Sequence, residues 1–199
     1  MSFKRFEIDG YGQLELNNAA FRRDGRIEAQ CFLDPECFAE KDSEGAYVKA
    51  SVPCENGMVL AVDKVNKIVR FVKANETMPL AINYSTEHFY DERANALKDY
   101  KIEWRKDGEY FLPRMGYLDL ADLFTTNCFG YDDSEFDDDE ALMDAAEAVA
   151  TTPLFAMPSN NGAWKISATK ANSGLVAQVV KAFTMPDGTD ALQLQVIAL

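Results

Sequence analysis

Carboxylates crowd one short stretch of this chain: Asp132, Asp133, Glu135, Asp137, Asp138, Asp139 and Glu140. Oxygen ligands at that density suit a hard cation such as calcium. The EF-hand arrangement, however, needs a glycine at its sixth position and a glutamate at its twelfth, and no glycine lies between Gly130 and Gly162. The run has instead the pattern of a helix start, where negative charge is stabilising. His88, the only histidine, and Cys128 have the types of a base and a thiol nucleophile. Neither sits in a local signature that would bring the two into hydrogen-bond reach. Cys31, Cys37, Cys54 and Cys128 include no closely spaced pair, so no zinc framework is expected. No catalytic residue, metal ligand or cofactor is assigned from these types.

Arg114 lies between two backbone punctuators in Leu112-Pro113-Arg114-Met115-Gly116, which makes it a candidate for an inter-subunit ion pair or hydrogen bond. Trp104, Trp164 and the other aromatic residues, 12% of the chain, are expected to fill cores and interfaces.

The chain has 199 residues and a formal charge of −13, which argues against nucleic acid as a direct partner and against anionic membrane surfaces. The excess is local. From Met115 to Trp164 there are eleven acidic residues and no Lys or Arg, while the remainder holds 22 acidic and 20 basic residues. The start, MSFKRFEIDG, has no apolar signal-peptide core, and no apolar run approaches the length of a membrane span. Reduced, cytosolic thiols are therefore expected.

The elements that must position these residues are mostly short strands. Phe3–Ile8 and Gln13–Leu16 flank a turn at Asp9–Gly12, and residues 17–56 lack a sustained period, with Asp34-Pro35 and Pro53 as breakers. Residues 1–56 are thus expected to form an extended arm with short strands. Residues 57–128 form a central β-rich module. Its run Met58–Val62 is apolar at every position, the pattern of a strand buried on both faces. Asp63–Asn66 then turns the chain into Ile68–Val72, and Pro79–Tyr84 follows as a third strand.

Phe89, Arg93, Leu97 and Tyr100 fall near helical spacing, which predicts a helix over 86–100 capped by Thr86. Strand-like runs follow at Glu109–Leu112, Gly116–Leu120 and Leu123–Asn127. Residues 129–153 form an acidic loop and helix, with the helix predicted over Ser134–Ala150 and Ser134 as its cap. Residues 154–199 read as a β segment with strands at Ala163–Thr169, Leu175–Phe183 and Ala191–Ala198 and a turn at Met185–Gly188. The fold class is mainly β with one or two helices (α+β): a small barrel- or sandwich-like body, an extended arm before it and a β segment at its end.

The stretches Gly57-Met58-Val59-Leu60-Ala61-Val62-Asp63 and Met78-Pro79-Leu80-Ala81-Ile82 resemble the β modules of small head-decoration proteins in tailed bacteriophages. Phe89-Tyr90-Asp91-Glu92, Leu112–Leu118 and Phe124-Thr125-Thr126-Asn127 are similar to structural proteins of Firmicutes phages and prophages. The resemblance covers residues 57–128 and is one of pattern. It implies a virion structural protein, head decoration or minor capsid, that is not an enzyme and binds a major capsid protein or another virion protein. It also implies a homo-oligomer such as a trimer, assembled in the bacterial cytoplasm and carried in the virion. Partner contact is expected at Phe3, Phe6, Arg114, Asp137, Asp138, Asp139 and Glu140. The alternative expectation, from the concentrated charge alone, is an acidic DNA mimic that inhibits a nucleic-acid enzyme.

Overall fold

The strand Val59–Asp63 (β7) is the wall between two cores. In the computed structural model, which describes residues 3–5, 19–21, 27–28, 31–73, 76–85, 102–110, 112–185 and 188–199, Val59, Leu60, Ala61 and Val62 are all completely buried. Successive side chains of a strand point to opposite faces. Val59 accordingly joins a core with Phe124, Trp164 and Leu194, while Leu60 and Val62 join another with Phe38, Val69 and Met115. The uninterrupted apolar run has the meaning expected of it: this strand has no solvent face.

Elements are numbered in chain order. The six-stranded sheet around β7 runs β3 (Ile27–Glu28), β10 (Met115–Tyr117), β9 (Leu80–Asn83), β7, β8 (Ile68–Phe71) and β4 (Phe32–Leu33). β7 pairs antiparallel with β8 and β9, and β4 runs parallel to β8. The second sheet has eight strands in the order β1 (Phe3–Arg5), β12 (Phe129–Asp132), β14 (Trp164–Ser167), β13 (Phe155–Pro158), β15 (Val176–Thr184), β16 (Asp190–Ala198), β11 (Leu123–Thr126) and β2 (Ala19–Phe21). A separate hairpin joins β5 (Ala39–Lys41) to β6 (Tyr47–Ala50). The protein is mainly β, as its composition and turn pattern predict. Both large sheets are open and neither closes into a barrel.

The central segment 57–128 contributes strands to both sheets, since β11 pairs with β16 while β7 to β10 stay in the smaller one. Four strands of the first 56 residues lie on sheet margins: β1 and β2 are the two edges of the eight-stranded sheet, and β3 and β4 are the two edges of the six-stranded one. Gln13–Leu16 and the helix predicted over 86–100, with His88, fall outside the described residues.

Several local expectations are corrected. Residues 109, 110 and 112 form no strand; Tyr110 instead turns its hydroxyl to accept from the Leu33 amide at 3.0 Å. Asp34-Pro35 does not break structure but starts a short helix, α1 (Pro35–Phe38). The Asp34 carboxylate accepts from the Glu36 amide at 3.0 Å, and proline at the first helical position loses no bond. The acidic helix α2 covers Asp139–Glu147, shorter than predicted, and its cap is Asp138, whose carboxylate accepts from the Ala141 amide at 2.8 Å. Ser134 lies instead in a turn closed by the Glu135 amide on the Asp132 carbonyl (2.8 Å). That turn sets Phe136 edge-on against Tyr131, with ring centroids 5.7 Å apart.

The two sheets are stapled along one seam. The Val59 amide donates to the Gly162 carbonyl at 2.8 Å, and the Trp164 indole donates to the Gly57 carbonyl at 3.2 Å. Gly162 has φ +86°, and a Cβ there would stand 3.3 Å from both Met58 and the Phe71 ring, so both conformation and space call for glycine. Beside the seam Asn83, fully buried, donates to the carbonyls of Glu55 (2.9 Å) and Cys54 (3.3 Å) and accepts from the Ser85 hydroxyl. A buried amide needs such partners to offset its desolvation.

Candidate functional site

The acidic run is exposed at every carboxylate but Asp132, which is half-buried, yet four of its carboxylates have partners within the protein. Asp132 pairs with Lys165. Glu135 accepts from the Ala168 amide at 3.1 Å, Asp138 caps α2, and Asp139 accepts from the Tyr131 hydroxyl at 2.7 Å. Tyr131 is buried, which pushes its ionisation well above the ordinary tyrosine range, and the neighbouring carboxylate of Asp139 pushes it the same way. The hydroxyl therefore stays a donor, and the bond ties the start of α2 to the sheet that Leu142 and Ala146 pack against. Asp137 and Glu140 are exposed. Among the described residues no group of three or more His, Cys, Asp or Glu is placed to hold a metal ion.

The other sequence candidates do not converge on this run. Arg114 is exposed and makes no ion pair among the described residues; its backbone carbonyl and amide hold Tyr84 and Ser85 instead. Phe3 lies in edge strand β1, and Phe6 lies outside the described residues. Cys128 is buried, and none of the four cysteines forms a disulfide. Trp164 is a core residue packed on Phe124 at 5.3 Å, whereas Trp104 is half-buried against Tyr47 at 6.1 Å. No helix among the described residues is long and apolar enough to cross a membrane.

One sizeable concavity among the described residues is not marked by any pattern in the sequence. Where the two sheets part, a cleft of about 740 Å³ opens between Val72, Lys73 and residues 76–80 on one side and Met157, Pro158 and the residues just before Leu175 on the other. Its first wall is a crossover. β8 and β9 flank β7 on opposite sides, so the connection between them must pass over one face of β7. Alternation places Arg70 on the face away from Val69, and there it meets Glu76 of the crossover at 2.7 Å. Glu76 also accepts from the amides of Thr77 and Met78, each at 3.0 Å. Burial would raise the Glu76 carboxyl, but the amides of Met78 and Lys73 and the Arg70 guanidinium outweigh it, and the net shift is downward. The carboxylate is ionised and fully engaged.

Lys64 and Lys73 line the same cleft and are exposed. The Lys64 ammonium stands 4.4 Å from the centroid of the Tyr117 ring, a cation–π contact that directs it. Neither lysine has a carboxylate partner among the described residues. Arg70 and Glu76 lie six positions apart in a strand and a turn, a spacing no helix or hairpin rule pairs, so their contact was invisible in the sequence. No protein-family model, no curated protein and no solved structure matches this chain.

Proposed function

We propose that this chain is a structural protein of a bacteriophage virion, of the head-decoration or minor-capsid kind, which acts by binding the capsid lattice and not by catalysis. The observation that supports the reading most is the use made of the first 56 residues. Their strands β1, β2, β3 and β4 lie on the margins of both sheets, where they extend the body by backbone pairing. Strand addition at a sheet edge is also a means by which one protein holds another, because main-chain hydrogen bonds supply affinity and alternate side chains supply selectivity. An arm of this type, attached to a two-sheet body, fits a protein that clamps identical neighbours. Its partner in this reading is the major capsid protein or another virion protein, its own state a homo-oligomer such as a trimer, and its location the particle.

The acidic DNA-mimic alternative draws less support. Such a mimic needs outward carboxylates free to meet a basic cleft, whereas Asp132, Glu135, Asp138 and Asp139, the last three exposed, already accept from Lys165, Ala168, Ala141 and Tyr131. The two readings separate in one experiment. Immunogold labelling of purified virions should decorate the particle surface, and absence of the protein from the particle overturns the proposal. Recovery of a nucleic-acid enzyme on the immobilised protein would favour the inhibitor instead.

A further inference from the structure

We infer that the cleft between the two sheets is a docking groove for an extended segment of a partner protein that carries acidic side chains on both flanks of an apolar centre. Three observations converge on that occupant. The first is charge. In a chain of net charge −13, the side chains lining this cleft include two lysines and a single carboxylate, Glu76, which Arg70 and backbone amides already engage. Lys64 and Lys73 are therefore the charged side chains of the lining that no carboxylate engages among the described residues. Charge of one sign concentrated in a concave, low-dielectric setting attracts its opposite.

The second observation is the spacing of the two charges. Lys64 precedes β8 and Lys73 follows it, so their backbones lie at opposite ends of a four-residue strand. At about 3.3 Å per strand residue the backbone separation is on the order of 15–20 Å, a spacing that two separate acidic side chains match. Two acidic residues four apart on an extended peptide face the same side and span about 13 Å, and their side chains and the flexible lysines close the rest.

The third is the apolar part of the same lining. Met78, Leu80, Leu118, Met157 and Leu175 supply apolar and polarisable surface, and methionine-lined grooves adapt to the side chain that enters them. The crossover wall is held in place by the Arg70–Glu76 pair, so the groove exists before any partner arrives. Preorganisation of that kind lowers the ordering cost of binding.

The inference does not rest on the virion reading, and its test uses the isolated protein. Two blocked, fluorescein-labelled heptapeptides share a Val-Leu-Val centre; one carries Asp and Glu four apart around it, the other two Lys. Fluorescence anisotropy at low salt should show saturable binding of the acidic peptide and at least tenfold weaker binding of the basic one. Lys64→Glu and Lys73→Glu should each weaken the acidic peptide about tenfold. The double variant should reverse the preference. Both lysines are exposed, so the variants keep the fold, which circular dichroism confirms independently. Equal affinity of the two peptides for the unmodified chain, no saturation for either, or indifference to both charge reversals overturns the proposal. Failure here leaves the particle-labelling result standing, and the reverse holds as well.

Discussion

The two sheets meet in two ways, at a closed seam and at an open cleft, and the contrast shows how one interface can be both rigid and receptive. The seam is closely packed: a backbone bond from Val59 to Gly162, the Trp164 indole on the Gly57 carbonyl, and a Gly162 whose added Cβ would press on Met58 and the Phe71 ring. The cleft is charged and accessible. Its wall is held by the Arg70–Glu76 pair, and its lysine ammonium groups have no carboxylate partner among the described residues. Burial of apolar surface supplies stability without direction, whereas an ion pair at a margin fixes geometry at a modest net gain. The molecule uses the first to join its layers and the second to shape the gap between them.

That division predicts a graded series of effects. Trp164→Ala strikes the seam hardest, since it removes a fully buried aromatic ring and an indole donor; a loss of about 4 kcal/mol in denaturant unfolding is expected. A loss below about 1 kcal/mol would mean the sheets do not depend on this staple. Gly162→Ala should cost about 2–3 kcal/mol, because the new Cβ meets Met58 and the Phe71 ring in a left-handed backbone conformation. A neutral Gly162→Ala, read by the same unfolding curves, would show that the seam can shift.

Arg70→Ala tests the other side of the comparison. It leaves the Glu76 carboxylate largely buried without its cation, and a loss of about 2 kcal/mol is expected at neutral pH, discounted from a fully buried pair because Arg70 keeps some solvent contact. The pH dependence follows from the sign of the shift. Glu76 ionises below its ordinary value of 4.5 in the folded protein, so its contribution is fully present above that value and is lost as pH falls through the lower folded value. The stability difference between Arg70→Ala and the unmodified chain should accordingly shrink on acidification below about pH 4.5. A difference constant from pH 7 to pH 3 would show that the guanidinium acts through packing alone.

The smallest effect is expected at Lys64→Gln, within about 0.5 kcal/mol of neutral, since the side chain is exposed and lacks an ionic partner. A large destabilisation there would make the lysine structural and take away its availability for an incoming acid.

Much of the smaller sheet was legible before the structure. Met58–Val62 had no polar position on either face, and only a strand between two cores explains that. Asp63 and Asn66 announced their turn, and the Asp63 carboxylate indeed accepts from the amides of Val65 (2.9 Å) and Asn66 (3.0 Å). The alternation of Leu192, Leu194 and Val196 with Gln193 and Gln195 likewise marked β16 as half-buried, and the three apolar residues lie in the core while the glutamines remain partly exposed. By contrast, Phe129–Asp132 and Phe155–Pro158 escaped notice as strands. One has glycine inside and an acid at its end, the other ends in proline, and their pairing with β14 and β15 supplies what their own sequences do not. The cleft was less legible still, because none of its lining residues belongs to a motif.

What the sequence determined by itself is what depends on near neighbours: strand periodicity, turn chemistry and the location of the charge excess. Period-two alternation and Asx turns are fixed by backbone sterics within a few residues, so they survive reading in one dimension. The tertiary structure alone decided which strands share a sheet, why β11 leaves the sheet of β10, and which carboxylates are engaged. It also decided that Lys64, Lys73, Arg70 and Glu76 gather around one gap. The reason is physical: pairing between distant strands is selected by the burial and backbone hydrogen bonding of the whole fold, and no local pattern of residue types encodes the partner.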